Sequence, residues 1–200
     1  MYCRLPILAL TATLATTGTA ALTQDVQGFV VRGMGALSCA ALVNAIQGEQ
    51  RDAAVARLVA WMSGYVSHAN RAAADVNDVL PYSNIDGLAT VVARVCANNQ
   101  GAQVEAVTAS VIATLAPLRL AQQEDAVELR RGEATVSIRP SVLKGVQQRL
   151  IELDLLPKET ADGVYGNQTA DALANFQGKT NLVVTSLPDA WTVFLLQAAK

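Results

Sequence analysis

Side chains suited to catalysis are scarce in this sequence. His68 is the single histidine, whereas a zinc hydrolase needs two or three ligands at a defined spacing such as H-x-x-x-H. A Ser-His-Asp or Cys-His arrangement would have to recruit the same residue, and the chain has no G-x-S-x-G turn. We therefore expect neither a metal site nor a nucleophilic triad, and we interpret His68 as a surface or half-buried helix residue.

Four carboxylates that lie close together in sequence are the remaining candidates for catalysis. They are Glu152, Asp154, Glu159 and Asp162. A glycosidase uses one carboxyl group whose pKa is raised by burial and a second that stays ionised. The polar, lysine-flanked context of these four indicates a solvated rim instead. The sequence predicts a protein that is not an enzyme and that uses no cofactor.

Residues 162–168 are the strongest candidate for a binding site. The run D-G-V-Y-G predicts a tight, ordered loop, because two glycines permit positive φ and the aspartate side chain holds the turn through its own backbone. Tyr165 is either a partly exposed aromatic lip or a cover for the small core beside Phe176, Trp191 and Phe194. The candidate ligand-binding residues are Asp162, Gly163, Tyr165, Gly166, Asn167 and Gln168.

Three helices are predicted to position this loop. The first has one apolar stripe at helical spacing, formed by Val142, Leu143, Val146, Leu150 and Leu153. The residues predicted to face outward are Lys144, Gln147, Gln148, Arg149 and Glu152. The other two helices repeat one spacing, Gly166-x-x-Thr169 and Asp189-x-x-Thr192, in which an N-cap residue precedes a hydroxyl and an apolar pair.

These residues resemble a known family, the small three-helix peptidoglycan-binding-like domain. Its pattern is a V-x-x-L/V-Q-x-x-L helix, a D-G-x-F/Y-G turn, a T-x-x-A-L/V-x-x-F-Q helix, then V-T-G and D-x-x-T-W. The matching residues are Val142, Val146, Gln147, Leu150, Asp162 to Gly166, Thr169, Ala172, Leu173, Phe176, Gln177, Val184 and Thr185. The chain departs from the pattern where Ser186 replaces glycine, where Trp191 precedes Thr192, and where L-D-L-L at 153–156 replaces L-G-Y/F.

The resemblance implies a place at the cell wall and peptidoglycan as the partner, without implying an activity. Residues 137–200 carry six basic and six acidic side chains, so charge attraction would not drive binding. Recognition of a glycan strand or stem peptide would instead use hydrogen bonds and a partly exposed aromatic ring at residues 162–168.

The start of the chain predicts export. Residues 1–21 have Arg4 near the front, an apolar middle and small residues at the end, which is the layout of a secretory signal peptide. A retained membrane anchor is the alternative, but the run is short and rich in threonine. Cleavage would remove Cys3 and leave Cys39 and Cys96, an even number that predicts one disulfide in an oxidising compartment. We expect a periplasmic or secreted protein.

Residues 25–116 read as a bundle of four helices. Apolar spacing places them at about 37–46, 55–73, 86–96 and 104–115, and Pro117 stops the last one. Gly64, inside the second helix, is interpreted as a helix crossing point. Cys39, the Trp61-x-x-Gly64-Tyr65 segment and Cys96 make the bundle similar to periplasmic helical proteins of the HdeA acid-stress chaperone type and to related immunity proteins.

Residues 117–139 are predicted to be a linker, in which 133–138 alternate as a short strand and 121–131 are helical or irregular. Composition excludes other partners. The net charge is −2 and becomes more negative once Arg4 is removed, so no basic face is available for nucleic acid. After the signal peptide no apolar run approaches the ~18 residues of a membrane span.

The sequence thus predicts an all-α protein, with a disulfide-linked bundle at 25–116 and a three-helix peptidoglycan-binding-like domain at 140–200. Its predicted function is that of an exported, non-enzymatic envelope protein that binds peptidoglycan through the second domain and a protein partner through the first. The alternative is a periplasmic chaperone or an immunity or inhibitor protein in which the bundle is the functional part.

Overall fold

The computed structural model describes residues 28–199, which contain helices and one two-stranded hairpin. The elements are α1 (Cys39–Gln47), α2 (Arg51–Ala72), α3 (Ile85–Asn98), α4 (Val104–Leu115), β1 (Val127–Arg131), β2 (Ala134–Ile138), α5 (Pro140–Glu152), α6 (Asn167–Lys179) and α7 (Ala190–Ala198), with short 3-10 helices at Gly33–Ala36 and Ala116–Leu118. The predicted signal peptide (1–21) and Cys3 lie outside the described residues. The predicted helical fold class is confirmed.

Helices α1 to α4 form the N-terminal bundle where the apolar spacing predicts them. Ser38 begins α1 by accepting a hydrogen bond from the amide of Ala41, and Asn84 begins α3 by accepting one from the amide of Gly87. Each helix turns its apolar stripe inward. The fully buried side chains of the bundle include Leu42, Leu58, Met62, Leu88, Val91, Val92, Val104 and Leu115.

A disulfide ties α1 to the end of α3. The Sγ atoms of Cys39 and Cys96 are bonded, and both residues are 0% exposed. The bridge spans a sequence separation of 57 residues. In the chain-entropy account, closing a loop of this size stabilises the folded state by about 4 kcal/mol. The predicted pairing is confirmed.

The indole of Trp61 on α2 packs over the 3-10 helix Gly33–Ala36. A Cβ added to Gly35 would lie 2.1 Å from the Trp61 ring, so glycine alone fits beneath it. Gly64 is exposed, and a Cβ there would meet nothing within 4 Å. The prediction of a helix crossing at Gly64 is wrong, because the close approach to α2 is made by the N-terminal turn at Gly35.

Residues 117–139 contain a two-stranded antiparallel hairpin. Arg131 pairs with Ala134 across a turn in which Gly132 has a φ of +56°. The strand predicted over 133–138 is present as β2, and 127–131 form β1 instead of the helical alternative. The hydroxyl of Ser83 donates to the carbonyl of Ser137 at 3.0 Å, which ties the hairpin to the segment before α3.

Helices α5 to α7 surround the C-terminal part of the core, and α7 also packs on α3 and α4. The hydroxyl of Tyr82 donates to the carbonyl of Ala190 at 3.0 Å. Burial of this hydroxyl raises the pKa of Tyr82. From Val31 onward the described residues form one compact unit with a continuous apolar core. The boundaries 25–116, 117–139 and 140–200 stay predictions. No helix within residues 28–199 has the length and apolarity needed to cross a membrane.

Gly35 and Gly64 provide a matched pair of substitutions. Gly35→Ala should lower the free energy of unfolding by about 2 kcal/mol, because the new methyl group overlaps the Trp61 ring. Gly64→Ala should raise it by about 1 kcal/mol, because alanine favours an open helix position. Urea unfolding followed by circular dichroism measures both. Equal effects at the two positions would contradict the packing described.

Candidate functional site

Gln147 on α5 holds the first loop, defined as residues 162–166. Its Nε2 lies within hydrogen-bond distance of Asp162 Oδ1 (3.1 Å), the carbonyl of Val164 (2.9 Å) and Thr169 Oγ1 (3.1 Å). Its Oε1 accepts from the amide of Gly163 at 2.8 Å. The residue is 1% exposed, so the prediction that it faces outward is wrong. Its partners satisfy a primary amide that would otherwise be costly to bury.

Gln177 on α6 holds the second loop, defined as residues 183–189, in the same way. Its Nε2 donates to the carbonyl of Leu187 at 2.9 Å and lies 3.1 Å from Thr185 Oγ1 and from Thr192 Oγ1. Its Oε1 accepts from the amides of Thr185 and Ser186 at 3.0 and 2.9 Å. Gln177 is 0% exposed. A buried glutamine side chain therefore holds a loop by hydrogen bonds at two places in these helices.

These two glutamines explain why the spacing Gly166-x-x-Thr169 is repeated as Asp189-x-x-Thr192. Gly166 and Asp189 are the N-cap residues of α6 and α7, as the spacing predicts. The hydroxyls three residues later, on Thr169 and Thr192, are buried and face the glutamine amides. Asp189 also caps α7 through the amides of Trp191 and Thr192. The hydroxyls thus join each helix to the loop before it.

The two glycines of the first loop differ in conformation. Gly163 has a φ of +81°, and a Cβ there would lie 2.8 Å from the carbonyl oxygen of Pro140. Gly166 is extended with a φ of −118° and a Cβ there would meet nothing within 4 Å. Positive φ, which both glycines permit, therefore occurs at Gly163 and not at Gly166, which begins α6.

Two departures from the family pattern fall at positive φ. Asp154 and Ser186 have φ values of +56° and +60°, and both replace a glycine of the pattern. Glycine takes this region at no steric cost, and aspartate is one of the residues that tolerate it best. The two replacements therefore lie at positions where this backbone adopts the region that glycine takes most easily.

Tyr165 links the two loops. Its hydroxyl donates to the carbonyl of Ser186 at 2.7 Å, and its ring is partly buried against the core. The guanidinium of Arg131 lies 5.5 Å from the ring centroid, donates to the hydroxyl at 3.2 Å and donates to Asn167 Oδ1 at 3.1 Å. The hairpin therefore supports the site through Arg131, a contact across more than thirty residues that no local pattern reveals.

The described site presents a carboxylate, two amides and an aliphatic side chain on one loop and the start of one helix. Asp162, Gly166, Asn167 and Gln168 are exposed, Val164 is 66% exposed, and Gly163 is buried. The amide of Val164 and then the side chain of Gln147 lower the pKa of Asp162. The ionised carboxylate suits hydrogen-bond acceptance and is a poor general acid.

Within residues 28–199 no group of three or more His, Cys, Asp or Glu side chains is arranged to hold a metal ion. His68 is exposed on α2, in agreement with its interpretation as a surface or half-buried helix residue. Glu152, one of the four clustered carboxylates, forms an ion pair with Arg149. The sequence pattern includes Gln147 and Gln177 but does not reveal that both are buried and hold loops. Arg131 lies outside the pattern, and no local signal points to it.

Adjacent glutamines on α5 allow a matched test of the buried amide. Gln147→Ala should lower the free energy of unfolding by about 3 kcal/mol, because it leaves the buried amide of Gly163 and the hydroxyl of Thr169 unpaired. Gln148→Ala, at an exposed neighbouring position, should change it by less than about 0.5 kcal/mol. Urea unfolding of the full chain measures both. Similar values for the two variants would contradict the role of Gln147.

Acid should weaken the first loop through Asp162. Because the folded state lowers its pKa, the stability that the carboxylate contributes is present above the ordinary value of 3.8 and is lost as pH falls through the folded value. The free energy of unfolding, measured in urea, should be higher for wild type than for Asp162→Asn at pH 7, and this difference should become smaller as the pH falls to about 3. Asp171→Asn, at an exposed position of α6, is the control. A difference that stays constant with pH would rule out this linkage.

Comparison with known proteins identifies the C-terminal part of the chain. Residues 141–193 match the family model described as "Putative peptidoglycan binding domain". The matched segment begins in α5 and ends in α7, so it contains both glutamine-held loops. No curated protein and no solved structure matches the chain significantly, and the likeness of the bundle to HdeA-type proteins stays a prediction. Helices α5 to α7 form a peptidoglycan-binding-like domain, as their sequence pattern indicates.

Proposed function

We propose that this chain is an exported, non-enzymatic envelope protein that binds peptidoglycan through its C-terminal domain and a protein partner through its N-terminal bundle. The observation that carries the proposal is the family match over 141–193, on a segment whose two loops are held rigid by buried glutamines. Rigid loops lose little conformational freedom when a ligand binds, which favours recognition by a small surface.

The binding surface that we assign is the exposed side of residues 162–168. Both internal hydrogen bonds of the Asp162 carboxylate use Oδ1, which leaves Oδ2 for a ligand. The side-chain oxygen of Asn167 accepts a hydrogen bond from Arg131, and its amide hydrogens can donate to a ligand. With the amide of Gln168 these groups suit the hydroxyl and amide groups of a glycan strand or stem peptide. Gly163, Tyr165 and Gly166 shape the loop.

An extracellular or periplasmic location is the companion proposal. A signal-like N-terminal sequence supports it, as does the buried Cys39–Cys96 disulfide, since such bonds persist in oxidising compartments. The non-enzymatic role is supported by the ionised state of Asp162 and by the exposed position of His68.

Sedimentation with purified sacculi tests the wall-binding role. The full chain should pellet, and Asn167→Ala with Gln168→Ala should weaken binding about tenfold, a change equal to two or so lost hydrogen bonds. The control replaces two exposed amides elsewhere in the same domain, Gln148→Ala with Asn175→Ala. It should pellet like wild type.

Each unfavourable result has a distinct meaning. A wild-type chain that stays in the supernatant would overturn wall binding and leave the bundle as the functional part, as in a periplasmic chaperone or inhibitor. Equal weakening by both double variants would retain wall binding but reject residues 162–168 as its surface.

A further inference from the structure

A groove runs along the outer edge of β2 and is separate from residues 162–168. One part encloses about 270 Å³ between Arg94 on α3, the start of β2, the second loop and Trp191 on α7. An adjoining part of about 200 Å³ lies between β2, Tyr82 and the start of α7. Both parts are lined by Thr135, Val136 and Asp189, so they meet at the middle of the strand.

The backbone of β2 offers hydrogen-bonding groups to this groove. Arg131 and Ala134 close a two-residue turn, and the closing pair of such a hairpin is hydrogen bonded. The amide and carbonyl of every second residue, Thr135 and Ser137, therefore point away from β1. The hydroxyl of Ser83 takes the carbonyl of Ser137, which agrees with this assignment. Among the described residues no other group bonds to the amide or carbonyl of Thr135, so both can serve another partner.

The two edges of the hairpin differ in how they are protected. On β1, Glu128 and Arg130 have the outward-turned backbone groups, and their side chains form an ion pair at 3.0 Å. Charged side chains are a common guard against strand addition. On β2 the equivalent residues are Thr135 and Ser137, which have small side chains; the edge is open at Thr135, and the contacts of Tyr82 and Ser83 cover its end. The groove thus lies beside the unguarded edge.

The charge within the groove favours an acidic occupant. The carboxylate of Asp189 accepts hydrogen bonds from the amides of Trp191 and Thr192 and from the hydroxyl of Thr192. Arg94 is exposed, lies 5.4 Å from the centroid of the Trp191 ring and makes no ion pair within the described residues. A carboxylate placed here would meet a guanidinium that an aromatic ring already orients.

We propose that this groove binds an extended segment of a partner protein, which pairs with the outer edge of β2 as an antiparallel third strand and places its C-terminal carboxylate against Arg94. Regular backbone pairing at Thr135 favours a protein segment over a glycan strand. The bridge between Tyr82 and Ile138 ends the free edge, so the partner segment pairs beside residues 134–137, the part of β2 that precedes the bridge. The inference adds a protein-binding site outside the bundle surface of the proposed function, and it is independent of wall binding.

The test uses the full chain and an array of random hexapeptides made in two forms, with a free C-terminal carboxylate and with a C-terminal amide. Free-carboxylate peptides should be enriched, and fluorescence anisotropy should show about tenfold weaker binding after amidation or with Arg94→Gln. Thr135→Pro removes the outward amide and should abolish binding. Arg130→Pro, at the paired position on the other edge, should bind like wild type.

Methylation of the peptide backbone tests strand addition without altering the protein. Binding should fall when alternate amide nitrogens of a selected peptide are methylated and should persist when the intervening ones are. This readout applies even where Thr135→Pro fails to fold, which circular dichroism detects.

Three results would overturn the inference. They are an absence of enriched peptides, equal binding by Thr135→Pro and Arg130→Pro when both fold, and insensitivity to the position of methylation. Displacement of a bound peptide by a soluble disaccharide-peptide fragment of peptidoglycan would assign the groove to the wall ligand. Sacculus sedimentation of Thr135→Pro should match wild type, which keeps failure here distinct from failure of wall binding.

Discussion

The C-terminal domain depends on two buried primary amides. Gln147 and Gln177 each lie inside the helical core and each bind one loop and the helix that follows it. A primary amide is costly to bury unless its donors and acceptor are satisfied, so each glutamine admits few loop conformations. In a domain of this size, where apolar burial is limited, such polar contacts decide which conformation the loops adopt.

The two halves of the molecule add different contacts to one shared apolar core. The bundle relies on apolar stripes and on the Cys39–Cys96 bridge, which restricts the unfolded chain. The C-terminal helices bury apolar side chains such as Val146, Leu173 and Leu196 in the same core and add the glutamine contacts, and α7 also packs on α3 and α4. This shared core places the hairpin beside both halves. Arg131 can thereby support Tyr165 while the other edge of the hairpin lines a groove.

Polar residues were the hardest to place from sequence. On α5 the periodicity identifies Val142, Val146 and Leu150 as buried, but polarity alone assigns Gln147 to the surface, and only its loop partners make burial favourable. The two loop glycines look equivalent in sequence, yet backbone geometry requires glycine at Gly163 alone. For Gly64 the exposed position shows that a glycine inside a helix does not by itself mark a contact.

Local sequence patterns were sufficient to predict the helices, the second strand of the hairpin, the cysteine pair and the family that residues 141–193 match. Apolar spacing, capping residues and turn residues act over a few positions, and they can therefore be read along the chain. Only the tertiary structure decided the burial of Gln147, the contact of Arg131 with Tyr165 and the groove beside β2. Each of these depends on groups that are distant in sequence and brought together by packing, whose free energy no local pattern contains.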